Sequence, residues 1–207
     1  MTSTIVKVFF IIGTVLFASS LPALAVVESM RIGPLPFSAA TGVTVAAEIS
    51  ADRPDVSLEY RWFINDEEQF FETSAQLPGQ LLQRGDVVAV EVTPVTYAGE
   101  RLTPIVSQAF EAANAPPVIT SEPPQRLTDT GFRYQVTATD PDDDTLTYRL
   151  EEAPENMTIN AATGLIEWSF ETMPEGDFPV SIVVVDSHDG QSEQLFELQM
   201  SYVEESL

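Results

Sequence analysis

The sequence predicts an all-β protein, two tandem β-sandwich domains after a cleaved leader. Three observations predict it. Short runs of alternating apolar and polar residues recur along the chain, broken by Pro, Gly and Asp clusters, which is the pattern of many short strands. No helical period stands out beyond the first 25 residues. The proline pair Pro116-Pro117 divides the rest into residues 26–115 and 116–207, each the size of one small sandwich.

Residues 1–25 read as a secretory signal peptide. Lys7 is their only charged side chain, and the apolar run Val8–Ala18 follows it. Pro22 and the small-residue site Ala23-Leu24-Ala25 come next, placing cleavage before Val26. With no Cys after the run, no lipid anchor is expected, and with no second long apolar segment, no membrane span is expected in the mature chain. The expected location is therefore periplasm, cell surface or outside the cell.

In the first domain Val43, Val45, Ala47 and Ile49 alternate with polar or small residues. Leu58, Tyr60, Trp62 and Ile64 do the same, with Phe63 interrupting the polar face. Trp62, in mid-strand, is expected in the core. Asn65-Asp66-Glu67 is a turn. Gly85-Asp86 opens a strand whose Val88, Val90 and Val92 share one face, and the stretch from Pro104 to Ala112 closes the domain. Asn114-Ala115-Pro116-Pro117 is a short, stiff boundary, because two prolines fix φ.

In the second domain Phe132, Tyr134, Val136 and Ala138 alternate with polar partners, as do Leu146, Tyr148 and Leu150. Asn160–Gly164 is a turn before Leu165-Ile166-Glu167-Trp168. Val180–Val185 is a nearly continuous apolar strand, and Phe196, Leu198 and Met200 share a face of the last one.

Two segments of this half, Tyr134-Gln135-Val136-Thr137-Ala138-Thr139-Asp140-Pro141-Asp142 and Ala162-Thr163-Gly164-Leu165-Ile166-Glu167-Trp168, carry a resemblance. With Pro116-Pro117-Val118-Ile119-Thr120, Asp144–Tyr148 and Val185-Asp186, they resemble the dystroglycan-type cadherin-like repeats and the related putative-Ig repeats of bacterial surface proteins. Tyr60-Arg61-Trp62 and Gly85-Asp86-Val87-Val88-Ala89-Val90-Glu91-Val92-Thr93-Pro94 are similar, more loosely, to bacterial Ig-like repeats. The resemblance implies immunoglobulin/cadherin-like sandwiches with an extracytoplasmic role in adhesion, spacing or assembly. It implies no single ligand.

Charge excludes several functions. The chain carries a net charge of −23. Residues 26–115 hold 13 acids and 5 Arg; residues 116–207 hold 19 acids and 3 Arg. Such a surface repels nucleic acid and anionic lipid and suits cations or basic partners. The absence of Cys removes disulfides, thiolate nucleophiles and Cys-ligated metals. The absence of Lys after residue 7 removes Lys–Asn isopeptide cross-links.

Asp140-Pro141-Asp142-Asp143-Asp144 is the one chemical constellation. Four carboxylates in five residues repel unless solvated or neutralised, and oxygen-rich flexible loops suit calcium. An EF-hand reading, with Asp140, Asp142 and Asp144 at positions 1, 3 and 5 and Glu151 at 12, fails. Thr145 replaces the required Gly, and residues 145–150 alternate as a strand rather than a helix. A cadherin-like arrangement fits better. The loop after one strand, Asp140–Asp144, would meet the loop before the last strand, Asp186-Ser187-His188-Asp189, and Asn114 of the boundary. The expected calcium ligands are Asp140, Asp142, Asp144, Asp186 and Asn114, of which the resemblance supports Asp142, Asp144 and Asp186 most directly. The competing reading is a solvated acidic turn.

His188, the sole histidine, reads as an exposed loop residue, and zinc is not expected without a second His or a Cys. No G-x-S-x-G, glycine-rich phosphate loop or Ser/His/Asp spacing is present, so no enzyme is expected. The sequon Asn156-Met157-Thr158 reads as coincidence. The expected function is a non-catalytic exported interaction or structural module, an accessory subunit of a surface or extracellular protein assembly. The alternative is a carbohydrate-binding or adhesive module, for which Phe63, Phe70, Phe71 and Tyr97 would be the stacking candidates.

Overall fold

The computed structural model describes residues 26–124, 131–172 and 174–200, together with the backbone of Gly13–Val15. Most of residues 1–25, read from the sequence as a signal peptide, lies outside the described residues. The chain divides into two units, Met1–Asn114 and Ala115–Leu207. Among the described residues the only helical element is the 3-10 turn Gly79–Leu81, and no helix is long and apolar enough to cross a membrane.

Unit 1 packs two sheets over one core. The first joins β1 (Gly13–Val15), β2 (Val27–Gly33), β3 (Val43–Ile49) and, through Val43 and Thr44, a short strand at Gln76–Leu77. The second is centred on β4 (Val56–Ile64). It is flanked by β5 (Glu67–Glu68) on one side, and on the other by the later strand Val87–Thr96, which also pairs with Ile105–Val106 and Phe110–Glu111. In chain order these are β6 (Gln76–Leu77), β7 (Val87–Thr96), β8 (Ile105–Val106) and β9 (Phe110–Glu111). The alternation read from sequence decides which side chains meet: Val43 and Val45, Trp62 and Ile64, and Val88, Val90 and Val92 are all buried in one cluster with Met30, Ile32 and Leu77. Trp62 is fully buried, and its Nε1 donates to the Ser74 carbonyl at 2.9 Å, so the indole N–H keeps a partner in the core. Phe63, out of place on the polar face by pattern, lies half-buried under the Arg61 guanidinium, 5.5 Å from its centroid.

The strand β2 has no counterpart in the sequence reading. Its buried residues Val27, Met30 and Ile32 do not alternate, because a bulge between Val27 and Ser29 shifts the period by one. The closing stretch from Pro104 to Ala112 forms only the two-residue strands β8 and β9.

Unit 2 contains three small sheets around a second core. β10 (Val118–Ile119) pairs with β12 (Ala138–Thr139), and β11 (Gly131–Gln135) pairs with β15 (Leu165–Ser169), which also pairs with β14 (Thr158–Ile159). The third sheet runs β13 (Thr147–Glu152), β16 (Gly176–Val185), β17 (Gln191–Met200). Phe132, Tyr134, Ile166, Trp168, Ile182, Val184 and Leu198 are buried together. Trp168 Nε1 donates to the Glu155 carbonyl at 3.0 Å, the counterpart of the Trp62 arrangement. Strand β13 begins where the EF-hand reading would need a helix.

Candidate functional site: an acidic loop pair in unit 2

The register of β13 against β16 builds the site. Thr147, which starts β13, pairs with Val185, which ends β16. The loop entering β13 and the loop leaving β16 therefore emerge at the same end of the sheet. The first carries Asp140–Asp144 and the second Asp186–Gly190.

Each loop is held by its own first aspartate. Asp140 Oδ1 accepts the backbone N–H of Asp142 (2.9 Å) and of Asp144 (3.2 Å). Asp186, buried, accepts the N–H of His188 (2.7 Å) and of Gly190 (2.9 Å) on its Oδ1. These are Asx-type turns, in which the carboxylate replaces backbone acceptors. They allow the left-handed backbone at Asp143 (φ 60°) and Asp189 (φ 67°). The start of unit 2 is held to the same place, since Ala115 N–H donates to Asp142 Oδ2 at 2.7 Å.

Asp144 links the loops. Its side chain is 8% exposed; Oδ1 accepts from Ser187 Oγ at 2.9 Å and Oδ2 lies 3.1 Å from His188 Nδ1. One ligand atom from each of Asp140, Asp142 and Asp144 lies within 4.8 Å of the others, and the same holds for Asp144, Asp186 and His188. Asp144 thus belongs to both triads. Asp140 Oδ2 is a buried oxygen with no hydrogen-bond donor.

Of the five ligands expected from sequence, Asp140, Asp142, Asp144 and Asp186 converge here. Asn114 ends unit 1, where its Oδ1 accepts from Arg84 Nη1 at 3.0 Å. His188 is exposed, as expected of a loop residue, yet its ring nitrogen faces Asp144. No local pattern signals this approach, because the turn made by Asp186 aims the ring. The donor set is hard: at least four carboxylates with a hydroxyl and one imidazole, which matches calcium chemistry far better than a thiolate-seeking metal.

The aromatic candidates lie in unit 1. Phe70 and Phe71 follow β5, and Tyr97 follows β7; all three are exposed. Phe70 borders a groove of about 770 Å³ that also touches Tyr60, Arg61, Glu68 and Arg101. Arg61 is fixed there by Glu68 (2.6 Å) and Glu91 (2.9 Å).

Residues 115–201 match the family model described as Putative Ig domain. Among solved structures the chain is similar to the protocadherin GammaB4 extracellular domain, at TM-score 0.37 and 14% identity over 76% of this chain and 31% of that one. It is similar to the human desmocollin-1 ectodomain, at TM-score 0.36 and 15% identity over 82% and 36%. It is also similar to the C-terminal 282-residue fragment of intimin solved with the intimin-binding domain of its translocated receptor, at TM-score 0.36 and 11% identity over 84% and 64%. The chain spans 31% and 36% of the length of the protocadherin and desmocollin structures, respectively. No curated protein matches the chain.

Proposed function

We propose that this protein is an exported, non-catalytic interaction module, an accessory subunit of a surface or extracellular protein assembly, whose second domain is stiffened by calcium. One observation carries the reading: Asp144 sits in two carboxylate-rich triads contributed by two loops, while Asp140 Oδ2 is buried without a donor. A cation held by Asp140, Asp142, Asp144 and Asp186 would supply that oxygen's missing partner and offset the repulsion among the carboxylates. Asn114 is the remaining ligand of the reading, and its inclusion would tie the boundary to the site.

Thermal unfolding with millimolar calcium and then with chelator tests this. A ligand held only by the folded state raises the melting temperature with concentration. The expected result is an upward shift that the Asp142→Ala/Asp144→Ala variant loses; an identical transition with and without calcium would reduce the loops to solvated surface. Recovery of partners from native envelope or extracellular fractions tests the interaction role, and a protein found solely as a free monomer would sink it.

A second reading, carbohydrate binding, is favoured by one observation: the unit 1 groove combines Phe70 and Tyr60 with charged side chains already fixed by ion pairs. A glycan array read with the unaltered protein and with Phe70→Ala separates it from the first.

A further inference from the structure

The outer edge of β2 is paired by a short segment from the start of the chain. On one side β2 pairs with β3 along most of its length, from Val27 to Gly33. On the other, Gly13 pairs with Ile32, Thr14 with Arg31 and Val15 with Met30, all antiparallel. Those three partners belong to the leader run Val8–Ala18, the segment that processing before Val26 would remove. An edge so vacated presents unpaired N–H and C=O groups, which favour pairing with another strand.

Three features describe what would fill it. Met30 and Ile32 are buried at 3% and 5% exposure, whereas Arg31 is exposed. Directly opposite residues of an antiparallel pair share a face, so an occupant adds to the core side opposite Met30 and Ile32 and to the outer side opposite Arg31. A groove of about 430 Å³ over β2 and β3, lined by Arg31, Ile32, Gly33, Pro34, Leu35, Thr44 and Ala46, lies on the side of β2 away from this edge and leaves the edge itself to backbone pairing. The bulge at Val27/Ser29 and Pro34 beyond Gly33 blunt the ends of β2 and leave Met30–Ile32 between them, where the charge of Arg31 selects against occupants without a complementary acid. A second copy is disfavoured, because a two-fold pairing centred on Arg31 sets Arg31 opposite Arg31, and directly opposed like charges are destabilising.

We propose that, once the leader is cleaved, this edge takes an extended strand of a protein partner carrying small or aliphatic residues opposite Met30 and Ile32 and an acid opposite Arg31. The proposal rests on reading the chain as an exported interaction module and names its docking edge.

The test uses the full chain expressed with its leader in a bacterium. The exported protein is collected, its N-terminus read by mass spectrometry, and a labelled peptide of residues 10–18 with a C-terminal Lys-Lys tail is titrated by anisotropy. Saturable binding is expected. Successive N–H groups of a strand point to opposite sides. N-methylation at Gly13 and Val15, or at Thr14, should therefore weaken binding about tenfold or more in one probe and leave it in the other. A Thr14→Glu probe should bind about two- to fivefold tighter, a gain that Arg31→Ala abolishes. Absence of binding, equal binding of both N-methylated probes, retention of the leader, or a dimer that excludes the probe would each overturn the proposal. The N-methyl comparison needs no protein variant, so it stands even where Arg31→Ala fails to fold. Calcium titration and partner recovery on the same preparation keep the two readings apart: a protein that passes both and refuses the probe loses only this edge.

Discussion

The two units build similar cores and place their acids differently. In unit 1 most arginines lie beside acids: Arg61 bridges Glu68 and Glu91, Arg53 meets Asp55 at 3.2 Å, and Arg101 pairs with Glu59. The Arg61 guanidinium beside Glu68 and the Arg53 guanidinium beside Asp55 each hold a carboxyl below the usual carboxylate range. In unit 2 the described arginines Arg133 and Arg149 also lie beside acids, Glu167 at 3.7 Å and Glu151, but a separate set of acids gathers in two loops at one end of a sheet. Acids that are dispersed or paired leave an ion little to neutralise; gathering charges of one sign in one place favours whatever neutralises them. On the calcium reading proposed above, ion dependence belongs to unit 2 alone.

The largest effects should be shared. Trp62→Ala and Trp168→Ala each empty a buried indole site and leave a carbonyl without its donor, and each is expected to cost its own unit about 3–5 kcal/mol. Urea unfolding followed by hydrogen exchange should show each substitution loosening one core. A single transition lowered alike by both would break the separation of the units. Next comes the ion. With calcium at about 100 times its dissociation constant, unit 2 should gain about 2.7 kcal/mol and unit 1 nothing. Asp140→Asn sharpens this, because it keeps the Oδ1 acceptor and removes a charge. The variant should melt higher than the unaltered protein in chelator and gain less from calcium. A loss of stability in chelator would show that repulsion is not what the loop carries.

A smaller effect separates backbone strain from packing. Gly85 and Gly164 both hold a left-handed backbone, at φ +85° and +72°. A Cβ on Gly85 meets nothing within 4 Å, whereas one on Gly164 would lie 2.7 Å from the Val136 carbonyl oxygen and 3.0 Å from the Tyr148 ring. Gly85→Ala should cost about 1 kcal/mol for the conformation alone. Gly164→Ala should cost about 2 kcal/mol, since the backbone oxygen cannot yield. Equal losses by denaturant titration would remove the contact from the account.

The core of both units was legible because period-two alternation is a direct image of a pleated strand. Trp62 and the triplet Val88, Val90 and Val92 could be placed without coordinates. Strand β2 was not legible, because the bulge at Val27/Ser29 breaks the period. Its pairing with Gly13–Val15 joins segments whose affinity no local pattern expresses. At the acidic site, the clustering of Asp140–Asp144 is written in the sequence, and its meeting with Asp186 follows once β13 and β16 are paired. The approach of His188 and Ser187 to Asp144 is not, because it depends on the Asx turn made by Asp186.

The smallest effect tests the other half of the comparison. The Glu68 carboxyl is held below its ordinary value by the hydrogen bond from Arg61. A depressed carboxyl stabilises the folded state above its unfolded value, about pH 4.3, and that contribution disappears as pH falls through the folded value. Glu68→Gln should therefore lower the melting of unit 1 slightly at pH 7 and leave it unchanged at pH 2, where both proteins lack the charge. Because the pair is solvent-accessible, added salt should shrink the pH 7 difference as well. Calcium should leave it untouched, since Arg61 already occupies the carboxylate. A calcium-sensitive difference at Glu68 would mean that unit 1 also has acids waiting for a cation, and the assignment of ion dependence to unit 2 alone would fall.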